Sequence, residues 1–109
     1  QSVWRRQISD IINVNNISSE IPSGYSLEQN YPNPFNPATR IRFTNPFFGQ
    51  VKIAVYDATG KERAILNDGT LRAGIYETEF NGADYSSGVY YCRMEAGNFN
   101  ETIKMILVK

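Results

Sequence analysis

The sequence predicts an all-β fold, an antiparallel β-sandwich of about seven strands. Apolar and polar residues alternate over several short stretches, which is the period of a half-buried strand. Gly, Pro, Asn and Asp residues separate these stretches at short intervals and mark turns. Seven Tyr and six Phe residues add side chains that favour strands. Several short strands at such spacing are typical of two packed sheets.

The chain of 109 residues is long enough for one small domain whose core needs no metal or disulfide. We expect that domain at residues 25–109, preceded at residues 1–24 by the tail of an upstream domain and a linker. The linker prediction depends on residues 13–24, which are rich in Asn, Ser and other turn formers. Before it, Ile8, Ile11 and Ile12 have helical spacing, which permits one amphipathic turn.

The β domain opens with a proline-rich segment, which we call the strap: Asn30-Tyr31-Pro32-Asn33-Pro34-Phe35-Asn36-Pro37. Its three prolines remove three backbone donors and fix three φ angles, so the strap cannot be a helix or a central strand. Residues that precede proline favour extended conformations. We therefore predict a stiff, extended segment that its two large apolar side chains, Tyr31 and Phe35, anchor on a β-sheet.

The strands are expected in the following order. A short strand near residues 25–27 precedes the strap, and a strand that stops at Asn45 follows it. The next strand turns back at residues 57–60, and its return strand ends at residues 67–69. A strand at residues 73–80 and a final hairpin at residues 88–108 complete the fold, and the hairpin supplies the two longest strands. Alternation predicts these inward-facing side chains: Ile41 and Phe43; Val51, Ile53 and Val55; Tyr76, Thr78 and Phe80; Tyr90, Cys92 and Met94; Ile103, Met105 and Leu107.

The composition argues against several classes of function. Eleven basic and eleven acidic residues give a formal net charge of zero, which lacks the electrostatic signature of a nucleic-acid-binding protein. The chain has no His, the commonest general base and metal ligand. The single cysteine, Cys92, lies on an inward face, which indicates an unreactive core thiol. We expect no enzymatic activity, no cofactor, no bound metal and no membrane-spanning segment.

The carboxylates do not form a recognisable catalytic or metal-binding pattern. Glu77 and Glu79 share the outward face of one strand, where a solvated surface is the favoured interpretation over a catalytic pair. Asp57 and Asp84 lie in predicted loops, and neither begins a calcium-ligand series. We therefore expect these two aspartates to cap turns.

Two groups of outward-facing side chains break the usual polar surface pattern. Tyr56 and Tyr91 point outward if the alternation holds, and they either bind a sugar or protein partner or form ordinary cross-strand pairs. Ile106 and Val108 lie on the nominal solvent face of the last strand. Either another part of the protein covers them, or they belong to a docking surface.

Five motifs occur in order between residues 25 and 109. They are Tyr25-Ser26-Leu27-Glu28-Gln29 with the strap and Thr39-Arg40-Ile41-Arg42-Phe43; residues 51–62 with Tyr56-Asp57 and Gly60-Lys61; residues 73–82 with Phe80 where Trp is frequent; Ser87-Gly88-Val89-Tyr90-Tyr91; and Lys104-Met105-Ile106-Leu107-Val108-Lys109. This series closely resembles the C-terminal sorting domain (type A) of type IX secretion system cargo. That family is related to the immunoglobulin-like domain of flagellar hook-capping proteins.

The resemblance implies an immunoglobulin-like sandwich that directs an attached cargo across the outer membrane. Its implied partners are the outer-membrane translocon, a surface sortase that commonly removes the domain, and a cargo domain upstream in the same polypeptide. The implied location is the cell surface or the medium, reached through the periplasm of a Gram-negative-type bacterium. The cleavable junction would fall within residues 13–24. The translocon would recognise these residues: Tyr31, Pro32, Asn33, Pro34, Phe35, Asn36, Pro37, Gly88, Val89, Tyr90, Lys104, Ile106, Val108 and Lys109.

Two other functions remain open at this point. An adhesion or carbohydrate-binding module would use the outward tyrosines Tyr56 and Tyr91. A structural immunoglobulin-like spacer or assembly domain would instead pair exposed edge strands between copies. For the sorting function, we expect a prefolded sandwich that presents its last hairpin, with Ile106 and Val108 beside Lys104 and Lys109.

Overall fold

A computed structural model describes residues 14–18 and 20–109, and this part of the chain contains eight strands and no helix. The expectation for Ile8, Ile11 and Ile12 lies outside the described residues. The all-β prediction is confirmed, with one strand more than the seven expected. The strands are β1 (Val14–Ser18), β2 (Ser26–Leu27), β3 (Ala38–Asn45), β4 (Gly49–Asp57), β5 (Glu62–Leu71), β6 (Gly74–Asn81), β7 (Gly88–Ala96) and β8 (Phe99–Leu107).

The strands form two antiparallel sheets that pack face to face. One sheet has the order β1-β6-β3-β2 and the other the order β5-β4-β7-β8. In an immunoglobulin-type sandwich, strands A, B and E lie in one sheet and strands C, F and G in the other. Here β2, β3 and β6 take the first set of positions, and β4, β7 and β8 take the second. β1 lies beside β6, where strand D would be.

The predicted core is confirmed. Every side chain that the alternation assigned to the inner faces is buried, from Ile41 and Phe43 on β3 to Met105 and Leu107 on β8. β3, β6, β7 and β8 alternate between buried and more exposed positions over most of their length. The pleat of a strand sends successive side chains to opposite faces, so a sequence period of two is sufficient to predict the core.

Two tyrosines combine burial with a backbone hydrogen bond. The Tyr76 hydroxyl donates to the carbonyl of Arg72 at 2.7 Å, and the Tyr90 hydroxyl donates to the carbonyl of Ser86 at 2.7 Å. Each tyrosine thus bonds the residue four positions upstream. The Tyr90 bond, near the start of β7, has the form of the tyrosine corner of immunoglobulin-type sandwiches, where a Tyr on strand F fixes the preceding connection.

The linker prediction is wrong for Val14–Ser18, which is strand β1. β1 pairs antiparallel with β6, opposite Thr78 to Ile75, and Val14 is buried. Residues 14–18 can form a strand because β6 pairs with β3 on one side only, which leaves its other edge open. The backbone of any extended segment can pair with such an edge. The sequence did not predict a strand here, because β1 contains asparagines, and Asn is depleted in strands and common in turns. The domain boundary at residues 24–25 stays a prediction.

The longest strand is β5, so the prediction that the last hairpin supplies the two longest strands is wrong. β5 has ten residues, whereas β7 and β8 have nine each. The expected end at residues 67–69 is not a turn, because Asn67 and Asp68 continue to pair with β4. The Asn67 side chain also donates a 2.8 Å hydrogen bond to the Val51 carbonyl. Two register shifts leave Arg63 and Leu66 without a directly opposed residue, so the ten residues of β5 lie opposite eight residues of β4.

Candidate recognition site at the strap and the last strand

The strap lies along the outer edge of β8. The Phe35 N–H donates to the Ile106 carbonyl at 2.9 Å, and the Phe35 carbonyl accepts from the Val108 N–H at 2.9 Å. The Asn33 Oδ1 accepts a 2.9 Å hydrogen bond from the Ile106 N–H. The strap therefore satisfies backbone groups on the edge of β8 that faces away from β7.

Only one of the two predicted anchors is buried. Phe35 is 1% exposed and packs edge-on against Phe80, with 5.9 Å between the ring centroids. Tyr31 is 80% exposed, so its prediction as an anchor is wrong. The backbone of Tyr31 forms an antiparallel bridge with Arg40, whose side chain faces solvent. Because directly paired residues point to the same face, the Tyr31 side chain also points outward.

A buried polar cluster fixes the start of the strap. The Asn30 Nδ2 donates to the Thr39 Oγ1 at 2.9 Å and to the Pro32 carbonyl at 3.2 Å. The Thr39 hydroxyl donates to the same carbonyl at 2.8 Å. The Gln29 Nε2 donates to the Asn30 Oδ1 at 2.6 Å and to the Lys104 carbonyl at 2.7 Å. This cluster joins the strap to both β3 and β8.

The sequence did not reveal that Asn30 and Thr39 hold the strap. The available signal was the position of Thr39, a polar residue in phase with the inward-facing Ile41 and Phe43. A polar residue at a core position needs a hydrogen-bond partner. The partner, Asn30, could not be identified without the fold.

The Ser-Gly-Val-Tyr motif meets the last residues of the sequence at the same place. The Ser87 Oγ accepts a 3.0 Å hydrogen bond from the Lys109 N–H. The Lys109 ammonium donates to the Ala83 carbonyl at 2.5 Å. Val89 pairs with Ile106 across the β7–β8 hairpin. Three motifs that are far apart in the sequence thus form one surface, which we call the motif corner: the strap, residues 87–90 and residues 104–109.

The predicted site residues divide into three groups by exposure. Phe35 and Tyr90 are buried and belong to the core. Val89 and Ile106 are half-buried. The remaining ten are exposed: Tyr31, Pro32, Asn33, Pro34, Asn36, Pro37, Gly88, Lys104, Val108 and Lys109. The same motifs therefore contain both side chains that are buried in the core and side chains that are exposed at the surface.

The outward apolar side chains extend the motif corner onto the outer face of its sheet. Val108 is 48% exposed, and Ile106 beside it is half-buried. Tyr56 and Tyr91 are half-buried and directly paired, and Tyr91 also pairs with Lys104. This register favours the cross-strand interpretation of the two tyrosines.

Burial and hydrogen bonds explain the pKa shifts of Cys92 and Asp57. Burial raises the pKa of the Cys92 thiol to about 12, so the thiol stays protonated near neutral pH. Asp57 caps its turn as predicted: its Oδ1 accepts from the Thr59 hydroxyl and from the N–H groups of Thr59 and Lys61. The hydrogen bond from the Thr59 hydroxyl is the main cause that lowers the pKa of Asp57. Glu77 lies 4.0 Å from Arg42 on the solvated face.

A sandwich fold alone does not define a function, so the class of protein is shown by the family to which the chain is similar. The chain belongs to the family of secretion system C-terminal sorting domains, which it matches over residues 29–109, more than half of its length. No curated protein matches the chain.

The family defines the role of the domain. It is a C-terminal sorting signal for type IX secretion, which implies a secretion system and an attached cargo. The protein is therefore secreted through the outer membrane of a bacterium, to the cell surface or the extracellular space. Within residues 14–18 and 20–109, no helix is long and apolar enough to span a membrane.

Proposed function

We propose that the outer-membrane translocon of the type IX system reads this domain at the motif corner, after the sandwich has folded in the periplasm. The observation that carries the proposal is the convergence of the strap, residues 87–90 and residues 104–109 at one surface. Hydrogen bonds hold the backbone there in place, while ten of the predicted site residues stay exposed. A preformed surface of this kind loses little conformational entropy when a partner binds.

The chemistry of the motif corner indicates what the translocon would present to it. Val108 and Ile106 offer apolar area, and Lys104 and Lys109 flank them with positive charge. Within the described residues, the Lys104 ammonium takes part in none of the ion pairs. We expect the surface of the translocon that binds the motif corner to have an apolar patch bordered by carboxylates.

Side-chain substitutions test this proposal better than truncation does. Removing residues 101–109 would delete most of β8, including the core residues Ile103, Met105 and Leu107, so lost export would reflect unfolding. The combined variant Lys104→Ala and Val108→Ser changes only exposed side chains. We expect its cargo to accumulate in the periplasm instead of the medium, with the thermal midpoint of the domain unchanged.

The matched control carries the same types of change at the other end of the sandwich. Phe48→Ser and Arg72→Ala are also substitutions of one exposed apolar and one exposed basic side chain. The control should export normally. Normal export of the Lys104 and Val108 variant, measured with a folded domain, would refute the motif corner as the surface that the translocon reads.

Processing by a surface sortase is the second part of the proposal. A protease needs an accessible, unpaired segment. Because β1 pairs with β6, residues 20–24 are the best candidates within the junction that the sequence suggested at residues 13–24. Ile21 and Gly24 are exposed there. Mass spectrometry of the carboxyl terminus of exported cargo tests this: a mature chain that ends at Lys109 would contradict removal of the domain.

A further inference from the structure

The outer edge of β8 is only partly covered. In β8 the even-numbered residues direct their N–H and C=O groups away from β7, as the bonds of Ile106 to the strap demonstrate. The Lys104 carbonyl accepts a hydrogen bond from the Gln29 side chain, and the Val108 N–H donates to the Phe35 carbonyl. The next two outward-directed residues are Asn100 and Thr102. Within the described part of the chain, their outward N–H and C=O groups have no hydrogen-bond partner.

The other sheet edges are protected in ways that β8 is not. β1 has five residues and a register shift against β6, and β2 has only two residues. β5 pairs with β4 through two register shifts. β8 pairs with β7 at nine consecutive positions with no shift, and it contains no proline. Short edges and bulges discourage strand addition, whereas a regular edge with unpaired groups is a template for it.

The strap already uses this edge as an added segment would. Phe35 forms a parallel bridge with Leu107, so an extended chain is accommodated beside the last residues of β8. Before the strap, the Gln29 side chain donates to the Lys104 carbonyl, and the Tyr25 ring stacks on Phe99 with 5.2 Å between the ring centroids. Neither residue forms a backbone hydrogen bond with Asn100 or Thr102 in the described part of the chain. A second extended segment placed beside Asn100 and Thr102 would continue the same line.

We propose that β8 accepts an extended segment of the translocon as an added strand along residues 100–104. This inference rests on the proposed function, since it assumes that the same partner also contacts the motif corner. The segment would hydrogen-bond to the free groups of Asn100 and Thr102. It would carry a carboxylate on the outer face beside Lys104 and an apolar side chain on the inner side beside Ile103.

The variant Thr102→Pro tests the added strand. Proline is tolerated on an edge strand when its nitrogen faces away from the sheet, so the bonds to β7 remain. The substitution removes one free donor and puts a ring where the incoming strand would lie. With the whole chain attached to its cargo, we expect export to fall by about fivefold or more. This is the size of effect expected when at least one hydrogen bond to the added strand is lost. Thr102→Ala is the matched control, because it removes the side chain and keeps the N–H, and it should export normally.

The thermal midpoint of each variant chain shows whether the sandwich is folded. If Thr102→Pro lowers the midpoint strongly, Asn100→Pro replaces it, because the Asn100 nitrogen also faces away from β7. Normal export of a folded proline variant would overturn the added strand. The combined Lys104→Ala and Val108→Ser variant separates the two proposals: if it blocks export while the proline variant does not, only the added strand fails. If the combined variant exports normally, the proposed function itself fails.

Discussion

Phe35 and Tyr31 are four residues apart in the strap, yet they have opposite environments. Phe35 is buried against Phe80, and Tyr31 is exposed beside Arg40. Phe35→Ala should therefore lower the free energy of unfolding by about 3–5 kcal/mol, through lost burial and a cavity. Tyr31→Ala should change it by less than about 0.5 kcal/mol. Urea denaturation of both variants measures the difference.

Export measurements on the same two variants distinguish a loss of stability from a loss of recognition by the translocon. Tyr31→Ala should reduce export without a change in stability if the translocon contacts the exposed strap. Phe35→Leu, which keeps an apolar side chain in the pocket, serves as the milder partner of Phe35→Ala. Equal stability of Phe35→Ala and the unsubstituted chain would contradict the anchoring role of Phe35.

Cys92 gives a pH-dependent prediction. Burial raises the pKa of its thiol from 9.0 to about 12, so the folded chain keeps a proton that the unfolded chain releases. This contribution to stability is complete below pH 9 and is lost as the pH rises from 9 toward 12. We expect the unfolding free energy of the unsubstituted chain to fall more steeply in that window than that of Cys92→Ala, as measured by urea denaturation at several pH values.

A thiol reagent provides an independent measurement on Cys92. At pH 8 the folded chain should react far more slowly than the chain in urea, because the thiol is buried and protonated. Rapid labelling of the folded chain at the rate of the unfolded one would contradict both the burial and the raised pKa.

At the scale of single residues, the sequence predicted burial well and contacts poorly. Period-two alternation was sufficient for Ile53 or Met105, because each strand has two faces and the apolar face must be covered. It failed for Tyr31, since an irregular segment has no such period. It also did not predict the hydroxyl bond of Tyr90, which depends on the position of the preceding turn.

At the scale of elements, the strands were predictable and their neighbours were not. Turn residues and alternation marked β3, β4, β6, β7 and β8 from local sequence. The contact between the strap and β8 joins residues about seventy positions apart, and no local pattern encodes such a pairing. The family resemblance marked the strap, residues 87–90 and residues 104–109 as important. Only the fold shows that they meet.

β1 illustrates how an element can be missed although its neighbours are correct. Its sequence, Val-Asn-Asn-Ile-Ser, has low strand propensity, and it pairs with β6 across a register shift after Asn16. Gly74 permits this pairing at its far end. A Cβ at Gly74 would lie 2.8 Å from the Ser18 carbonyl oxygen, so glycine is the residue that lets the two backbones approach.

At the scale of the whole molecule, the apolar core lies between the two sheets, and the motif corner lies at one end of the sandwich. The two sheets bury an apolar core, and the ends of β3, β6, β7 and β8 bring the motifs together at one end. An all-antiparallel sandwich of this kind can fold and remain folded while a partner reads one end of it. Under the proposed function, the sorting signal is a surface of a folded domain rather than a short linear segment.

The folded unit begins before the residues that the family match covers. The family match begins at residue 29, whereas β1 begins at Val14 and is part of a sheet. We predict that a chain of residues 25–109 unfolds at a lower temperature than one of residues 14–109, because Val14 is buried and β1 covers the free edge of β6. Loss of the Val14 burial alone is worth about 2 kcal/mol, or roughly 10 °C for a domain of this size. Both chains, fused behind the same passenger, should still direct its export, since both contain the motif corner. Equal midpoints would show that β1 adds nothing to the sandwich, and export by the longer chain alone would show that the signal includes β1.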